Sequence, residues 1–554
     1  MPDRPWIDHY DNGVPHSIAY PQIPLQSFLS ESARKFPGKV CTICESREIT
    51  YSQMDDLTTT MARSLVFLGL QKGDRVGILL PNLQEFVISF YATLEAGGVV
   101  AAINPFFTPA EIIHQSNDAG LKFLVATHSS YKIINSFRQD LKIDRVIVVN
   151  DREVVKGLQT GEKKVAKPDL IFEDVIDPDF SKNVNLPAVS GDDPAVFQYT
   201  GGTTGIPKAA IGLHRNLVAN TVQFRRWLVD IKPGNEAFLM AIPMYHVYGM
   251  VIGMSLCIEA AGLLILIPNP RDVLHLVEEL QRHRATIFPG VPSLFGMIAS
   301  NPDVSSGKYN LRSVKAAISG SAPLPKNVKV KFEALISGQL CEGYGLSEAP
   351  TATHCNPLHG VNKDGSIGLP LPDVECRIVD MENGSKDLST GEEGELIIRG
   401  PQVMREYHNM IEETQNVIRD GWLYTGDIAR ADLDGYYFLV GRKKELIKVS
   451  GFQVWPREVE DVIRKHSQVL DVSVSGVPDQ YKGETVKAWI IKKPGSPLNQ
   501  DEIKAWCEGS LAYYKIPSFV EFRTEFPRTT VGKILKRELI KQHLAGIDPA
   551  ADDY

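Results

Sequence analysis

The chain has 554 residues, more than one hydrophobic core holds comfortably, so at least two domains are expected. Its 43% apolar and 23% charged content is that of an ordinary enzyme-sized globular protein, with no low-complexity tract. A formal charge of −8 argues against nucleic-acid binding, so any anion site must be assembled locally.

The N-terminus, Met1-Pro2-Asp3-Arg4-Pro5-Trp6, has no apolar h-region, and no secretory signal is expected. Cysteines 41, 44, 257, 341, 355, 376 and 507 are odd in number and scattered. Cys41 and Cys44 form a CxxC inside a strand-like stretch, where i and i+3 face opposite ways, so neither a metal nor a redox pair is expected. The expectation is a cytoplasmic protein with free thiols. The most membrane-like window, residues 250–267, carries Glu259 near its middle and is split by Ala260-Ala261-Gly262, so it reads as a buried helix–strand pair. Peripheral membrane contact and a homodimer are left open.

Residues 52–68 carry apolar side chains at Met54, Leu57, Met61, Leu65 and Leu68, a helical stripe with Ser52 as its N-cap. A strand at 75–80, a helix at about 84–95 and a strand at about 98–103 follow. Thr108-Pro109-Ala110-Glu111 is a capping box with proline at the first helical position. With strand-like 123–126 and 145–149, the alternation predicts an α/β fold with mostly parallel sheets. Residues 155–194 are polar and read as a surface excursion. The alternation resumes at 284–289 and 314–318, then gives way to β-rich sequence over about 370–441.

The charged run Arg442-Lys443-Lys444-Glu445 marks a change of texture and a hinge. Beyond it, a helix at 455–463, a strictly alternating strand at 470–475, a strand at 486–492 and a helix at about 500–512 make a small α+β unit. The domains read from the sequence are therefore 1–441 and a mobile C-terminal domain, 442–554.

The chemistry concentrates in six stretches. Apolar Ala195-Val196-Phe197 feeds the Gly/Thr-rich Tyr199-Thr200-Gly201-Gly202-Thr203-Thr204-Gly205-Ile206-Pro207-Lys208, a recipe for holding phosphate through backbone N–H groups, hydroxyls and one ammonium. It is not a Walker A loop, because Ala209 stands where the metal-binding Ser/Thr belongs, and it lacks the dinucleotide spacing. Pro243-Met244-Tyr245-His246-Val247-Tyr248-Gly249 puts a histidine and aromatics at the entry of an apolar helix. Ser319-Gly320-Ser321-Ala322-Pro323 is a small-residue turn that suits a flat ring. Glu342-Gly343-Tyr344-Gly345-Leu346-Ser347-Glu348 offers an aromatic for stacking and a carboxylate for a hard cation. Tyr424-Thr425-Gly426-Asp427 presents an acid able to take two ribose hydroxyls. Pro527-Arg528-Thr529-Thr530-Val531-Gly532-Lys533 sets a lysine just before the last helix.

In that order, from about residue 25 to 544, these stretches resemble the adenylate-forming acyl-CoA synthetase superfamily. Tyr199-Thr200-Gly201-Gly202, Ser366-Ile367-Gly368-Leu369-Pro370 and Gly400-Pro401-Gln402-Val403-Met404 look most like bacterial-type long-chain fatty-acid–CoA ligases. The resemblance implies an ATP-dependent, AMP-forming ligase joining a medium- to long-chain fatty acid to coenzyme A through an acyl-adenylate. Thr200, Gly201, Gly202, Thr203, Thr204, Gly205 and Lys208 would hold the phosphates. Gly320, Ser321 and Ala322 would form the adenine slot with Tyr344, inside the motif Glu342, Gly343, Tyr344, Gly345, Ser347. Glu348 and Thr203 would bind Mg²⁺, and Asp427 and Arg442 would grip the ribose. Lys533, Glu348, Thr203 and His246 would be the catalytic set, with Lys533 reaching the carboxylate and α-phosphate. Lys444 falls at the hinge position, and Lys448, Gly451 and Gln453 would serve thioester formation. The sequence departs from the family at Ala209, Ser347 and Glu406, the last where a glycine usually precedes Tyr407. The acyl pocket is expected behind Met250, Gly253, Met254 and Cys257, a stripe that fits plain core equally well. An aryl-CoA ligase, a carrier-protein-loading ligase and a non-catalytic nucleotide binder are the alternatives.

Overall fold

The structure, a computed structural model, describes residues 4–150, 165–181, 184–200, 207–529 and 532–546. Two large sheets make up the first part of the chain. In the first, strands Val99–Ala102, Arg75–Leu79, Leu121–Thr127 and Arg145–Val149 run parallel, and Pro194–Thr200 adds beside Val99–Ala102. In the second, Val40–Cys44, Leu263–Leu266, Ala237–Met240, Ile287–Gly290, Ala316–Ser319 and Gln339–Leu346 run parallel, flanked by antiparallel edges. This is the mixed α/β layout the alternation predicts.

Helix Gln84–Glu95 shows why the sheets stay together. Every residue from Gln84 to Leu94 is buried, and the helix contacts strands of both sheets. A helix apolar on all sides has no solvent face, so it belongs between layers. Helix Tyr51–Phe67 packs beside it through Met54, Met61 and Leu65. Its cap is Thr50 rather than Ser52: Thr50 accepts from the Gln53 N–H while the Gln53 side chain returns to the Thr50 N–H. The helix is therefore capped two residues earlier than the apolar stripe alone indicates. The Thr108 capping box is present, and Gly120 closes that helix at φ 60°. Glu259 pairs with Arg225 at 3.4 Å instead of facing lipid, and among the described residues no helix is long and apolar enough to cross a membrane.

A third sheet, wholly antiparallel, joins Glu375–Val379, Gly394–Arg399, Trp422–Ala431, Ile418–Arg419 and Tyr437–Arg442. After the 3-10 turn Lys443–Glu445 comes a fourth, built from Ile447–Val449, Phe452–Val454, Val469–Asp479, Gly483–Lys492 and Phe519–Arg523. Its core holds Val454, Val459, Ile463, Val472, Val474 and Ile490, and shares no residue with the cores of the preceding sheets. The alternating strand expected at 470–475 extends over Val469–Asp479.

Candidate active site

Thr200 and Lys208 face each other across an antiparallel pair, so the loop between them closes at that point. Gly201, Gly202, Thr203, Thr204 and Gly205 lie outside the described residues, as do Thr530 and Val531. The Lys208 ammonium pairs with Glu413 and sits 5.4 Å from the centroid of the Tyr407 ring.

The opposite wall is the strand Gln339–Leu346. Gly345 is obligatory there: a Cβ would fall 1.6 Å from the Thr351 carbonyl oxygen. Tyr344, between Gly343 and Gly345, lines a cavity of about 60 Å³ together with His246, Tyr248, Ile252, Gly320 and Ser321. Ser321 adopts φ +74°, an uncommon conformation for a residue with a Cβ, which exposes the turn backbone at this cavity. Ala322 and Ser347 are half-buried and do not line it. Glu342 is buried, and burial raises its carboxyl to about 7 against the pull of Arg457.

His246 carries no charge at neutral pH. Burial, with Lys533 adding repulsion, lowers its pKa to about 4. The Tyr248 N–H donates to its Nδ1 at 3.3 Å, which leaves the ring proton on Nε2.

Asp427 follows Gly426, whose φ of +70° turns the chain, and is 3% exposed. Its Oδ1 meets Arg442 Nε at 2.8 Å, and its Oδ2 accepts from Arg442 at 3.3 Å and from the Tyr344 hydroxyl at 2.6 Å. Two partners that fix a buried carboxylate leave its remaining lone pairs aimed.

Lys533 enters from the last sheet. Thr529 and Lys533 are tied to each other: Thr529 N–H donates to the Lys533 carbonyl at 2.8 Å, and Lys533 N–H donates to Thr529 Oγ1 at 3.1 Å. Gly532, at φ +80°, lies against helix Pro292–Ser300, where a Cβ would be 2.9 Å from Ser293 Oγ. The ammonium keeps contact with solvent, yet desolvation by the cleft walls and repulsion from Arg442 lower its pKa to about 8, opposed by Glu445 and Asp427.

Glu348 is half-buried, and the Tyr407 hydroxyl donates to its Oε1 at 2.6 Å. Among the described residues no lysine or arginine pairs with it, and no donor reaches Oε2. A carboxylate oxygen with no donor among the described residues, joined through Tyr407 to Lys208, suits a hard divalent cation. The contribution of Thr203 falls outside the described residues.

Lys448, Gly451 and Gln453 stand apart. They lie on the hairpin of Ile447–Val449 and Phe452–Val454, all exposed, with Lys448 opposite Gln453. Gly451 has φ +87° and open space where a Cβ would go. Lys444 sits between two anchors: Lys443 binds Glu395 of the third sheet at 2.8 Å, and Glu445 binds Lys536 of the last helix at 3.2 Å.

Of the two readings of the stripe after His246, the structure shows plain core. Met250, Gly253, Met254 and Cys257 are packed core, and a Cβ on Gly253 would fall 2.0 Å from Met240 Cε. The segment Gly249–Ser255 is π-wound, so the 3.6-residue stripe does not hold through it, and Ile252 faces the cavity instead. Tyr407, Glu413, Glu445 and Ser293 escape sequence reasoning as site residues. Only Tyr407 carries a signal, the irregular Glu406 before it. An open groove of about 570 Å³, lined by Arg75, Phe197, Arg405 and His408, runs behind Tyr407 and contains none of the expected site residues.

A family model described as AMP-binding enzyme matches residues 29–408, and one described as AMP-binding enzyme C-terminal domain matches 458–533. A long-chain-fatty-acid–CoA ligase of Bacillus subtilis (strain 168) is 38% identical, covering 97% of this chain and 98% of that one. ATP-bound MatB from Rhodopseudomonas palustris superposes with a TM-score of 0.83 at 28% identity, over 95% of this chain and 100% of that chain. Apo MatB, at the same identity and coverage, gives 0.72. An anthranilate CoA ligase, AuaEII, in complex with anthranoyl-AMP, gives 0.84 at 25% identity, over 95% of this chain and 98% of that one.

Proposed function

The chain belongs to the AMP-binding enzyme family as an AMP-forming acyl-CoA synthetase, and on that premise we propose that its acid is a medium- to long-chain fatty acid. Its substrates are a carboxylate, ATP and CoA. The observation that carries the proposed mechanism is the seat of Lys533: its loop abuts Ser293 while its ammonium feels His246, Asp427 and Arg442.

A carboxylate is a poor acyl donor, so one of its oxygens first attacks the α-phosphorus, and the bond to the β-phosphate breaks with loss of pyrophosphate. Both reactants are anions, and the step needs positive charge placed before they meet. Lys533 supplies it at the reacting carboxylate and Lys208 at the departing phosphates. Asp427 and Arg442 fix the ribose end, and Tyr344 with the turn at Gly320 and Ser321 takes the base. Neutral His246 offers Nε2–H to the acid without a competing charge. Glu348 would hold magnesium, which when bound supplies charge cancellation on the phosphate oxygens.

Thioester formation asks for the reverse: no cation over the acyl carbonyl and a path for a thiol. The CoA sulfur attacks the acyl carbon, and AMP leaves. We place the hinge at Lys444, between its two anchors, so that a swing there removes Lys533 and brings the hairpin of Lys448, Gly451 and Gln453 to the site.

A second reading, an aryl-CoA ligase, is favoured by the likeness to the anthranilate ligase. Pyrophosphate release and thioester formation over a panel of saturated fatty acids and benzoates separate the two. Activity confined to aromatic acids would overturn the fatty-acid proposal.

A further inference from the structure

Residues 404–408 strap together two motifs that are far apart in sequence. The short strand Glu406–Tyr407 pairs antiparallel with the strand leaving the phosphate loop, Glu406 opposite Ile211 and Tyr407 opposite Ala210. His408 N–H donates to the Ala209 carbonyl at 2.8 Å, and on the other side Met404 N–H donates to the Glu348 carbonyl at 2.8 Å. Tyr407 is 6% exposed and packs against Ala210 and Met404. Its hydroxyl reaches Glu348 Oε1 at 2.6 Å, and its ring lies beneath the Lys208 ammonium.

We propose that Tyr407 is a positioning residue for the metal carboxylate: its phenol occupies Oε1 of Glu348, aims Oε2 at the cation, and its ring braces Lys208 over the same phosphates. The inference rests on the reading of Glu348 as the magnesium ligand. A carboxylate can only accept, so the proton in this 2.6 Å contact lies on the phenol, and Tyr407 is the donor. A donor fixed on one oxygen disfavours bidentate capture and matches magnesium, which takes one oxygen from a carboxylate and keeps several waters. Outer partners of this kind typically set metal affinity by about 10–100-fold.

The test is an equilibrium one. The affinity of the full-length protein for ATP, with the acid omitted, is measured by calorimetry with and without Mg²⁺, giving the factor by which the metal tightens ATP. In Tyr407→Phe, which keeps the ring and its packing, that factor should fall about tenfold, with metal-free ATP affinity unchanged. Glu348→Gln should remove most of the factor, and Tyr407→Phe added to it should cost nothing further, because the tyrosine acts through the glutamate. A factor within twofold of the parent in Tyr407→Phe, or full additivity in the double variant, would overturn the proposal. Loss of metal-free ATP binding in Tyr407→Phe would also overturn it, since that marks general damage to the nucleotide site. An unchanged factor in Glu348→Gln would instead remove the metal reading on which the proposal stands.

Discussion

The two loops that the small domain offers differ in every physical respect. Gly532 lies beside Ser293, and Lys533 feels the charges of Arg442 and Asp427 and holds an ammonium whose pKa is lowered to about 8. The hairpin at Lys448 and Gln453 is exposed, and Gly451 at its tip has open space around it. One loop is engaged and the other is idle. The proposed swing gives the exposed hairpin a role, because it would present the two faces in turn. On the proposed swing, the Lys443–Glu395 and Glu445–Lys536 pairs would flank the pivot at Lys444.

Breaking the engaged face should have the largest effect. Lys533→Ala should slow acyl-adenylate formation by about 10²–10³-fold, read as single-turnover pyrophosphate release. Thioester formation from supplied acyl-adenylate should stay within about threefold, because the lysine has left by then. Equal loss in both half-reactions would place Lys533 in general folding or binding.

Breaking the idle face should give the mirror image with a smaller size. Gly451→Val puts a branched side chain at φ +87° and into the proposed thiol path. Thioester formation should drop by about 10–100-fold while pyrophosphate release holds.

Titration sharpens the comparison on the engaged side. Lys533 is charged below about 8 and neutral above it. The value of kcat/KM for adenylation, which reports the free enzyme, should therefore fall roughly tenfold per pH unit well above 8. Thioester formation should lack this limb, and Lys533→Arg, charged throughout, should abolish it even at a lower overall rate.

The smallest effect is expected at the contact itself. Gly532→Ala introduces a Cβ 2.9 Å from Ser293 Oγ at φ +80°. Adenylation should fall by a few-fold through displacement of Lys533, with a stability cost of about 1 kcal/mol visible in thermal unfolding.

Much of this site is legible in the amino-acid sequence, for reasons that differ by residue. Gly345 and Gly426 stand beside Tyr344 and Asp427 in the sequence because the backbone must turn or pass closely there, so motif and geometry coincide locally. The parallel sheets follow from apolar runs alternating with helical periods. The Tyr407–Glu348 hydrogen bond is not legible: it joins residues 59 positions apart, and no period or spacing encodes such a pair. The stripe at Met250, Gly253, Met254 and Cys257 leaves pocket lining and core undecided, and the π-wound turn that puts Ile252 at the cavity makes no mark in the pattern of apolar residues. Ser52 passes for the cap for a simpler reason: it borders the apolar stripe, whereas Thr50, two residues earlier, has the glutamine partner at the right distance along the chain.

The central claim is that the two faces alternate about Lys444. The most direct measurement places one spin label at exposed Val330 of the large part and another at exposed Leu470 of the small domain, and records their separation by pulsed electron resonance. With ATP and Mg²⁺ the account predicts one narrow distance. With a non-reactive acyl-adenylate mimic and CoA it predicts a second distance, and Lys444→Pro should suppress the change by stiffening the pivot. A single distance, unmoved by CoA and the mimic in the parent protein, would contradict it.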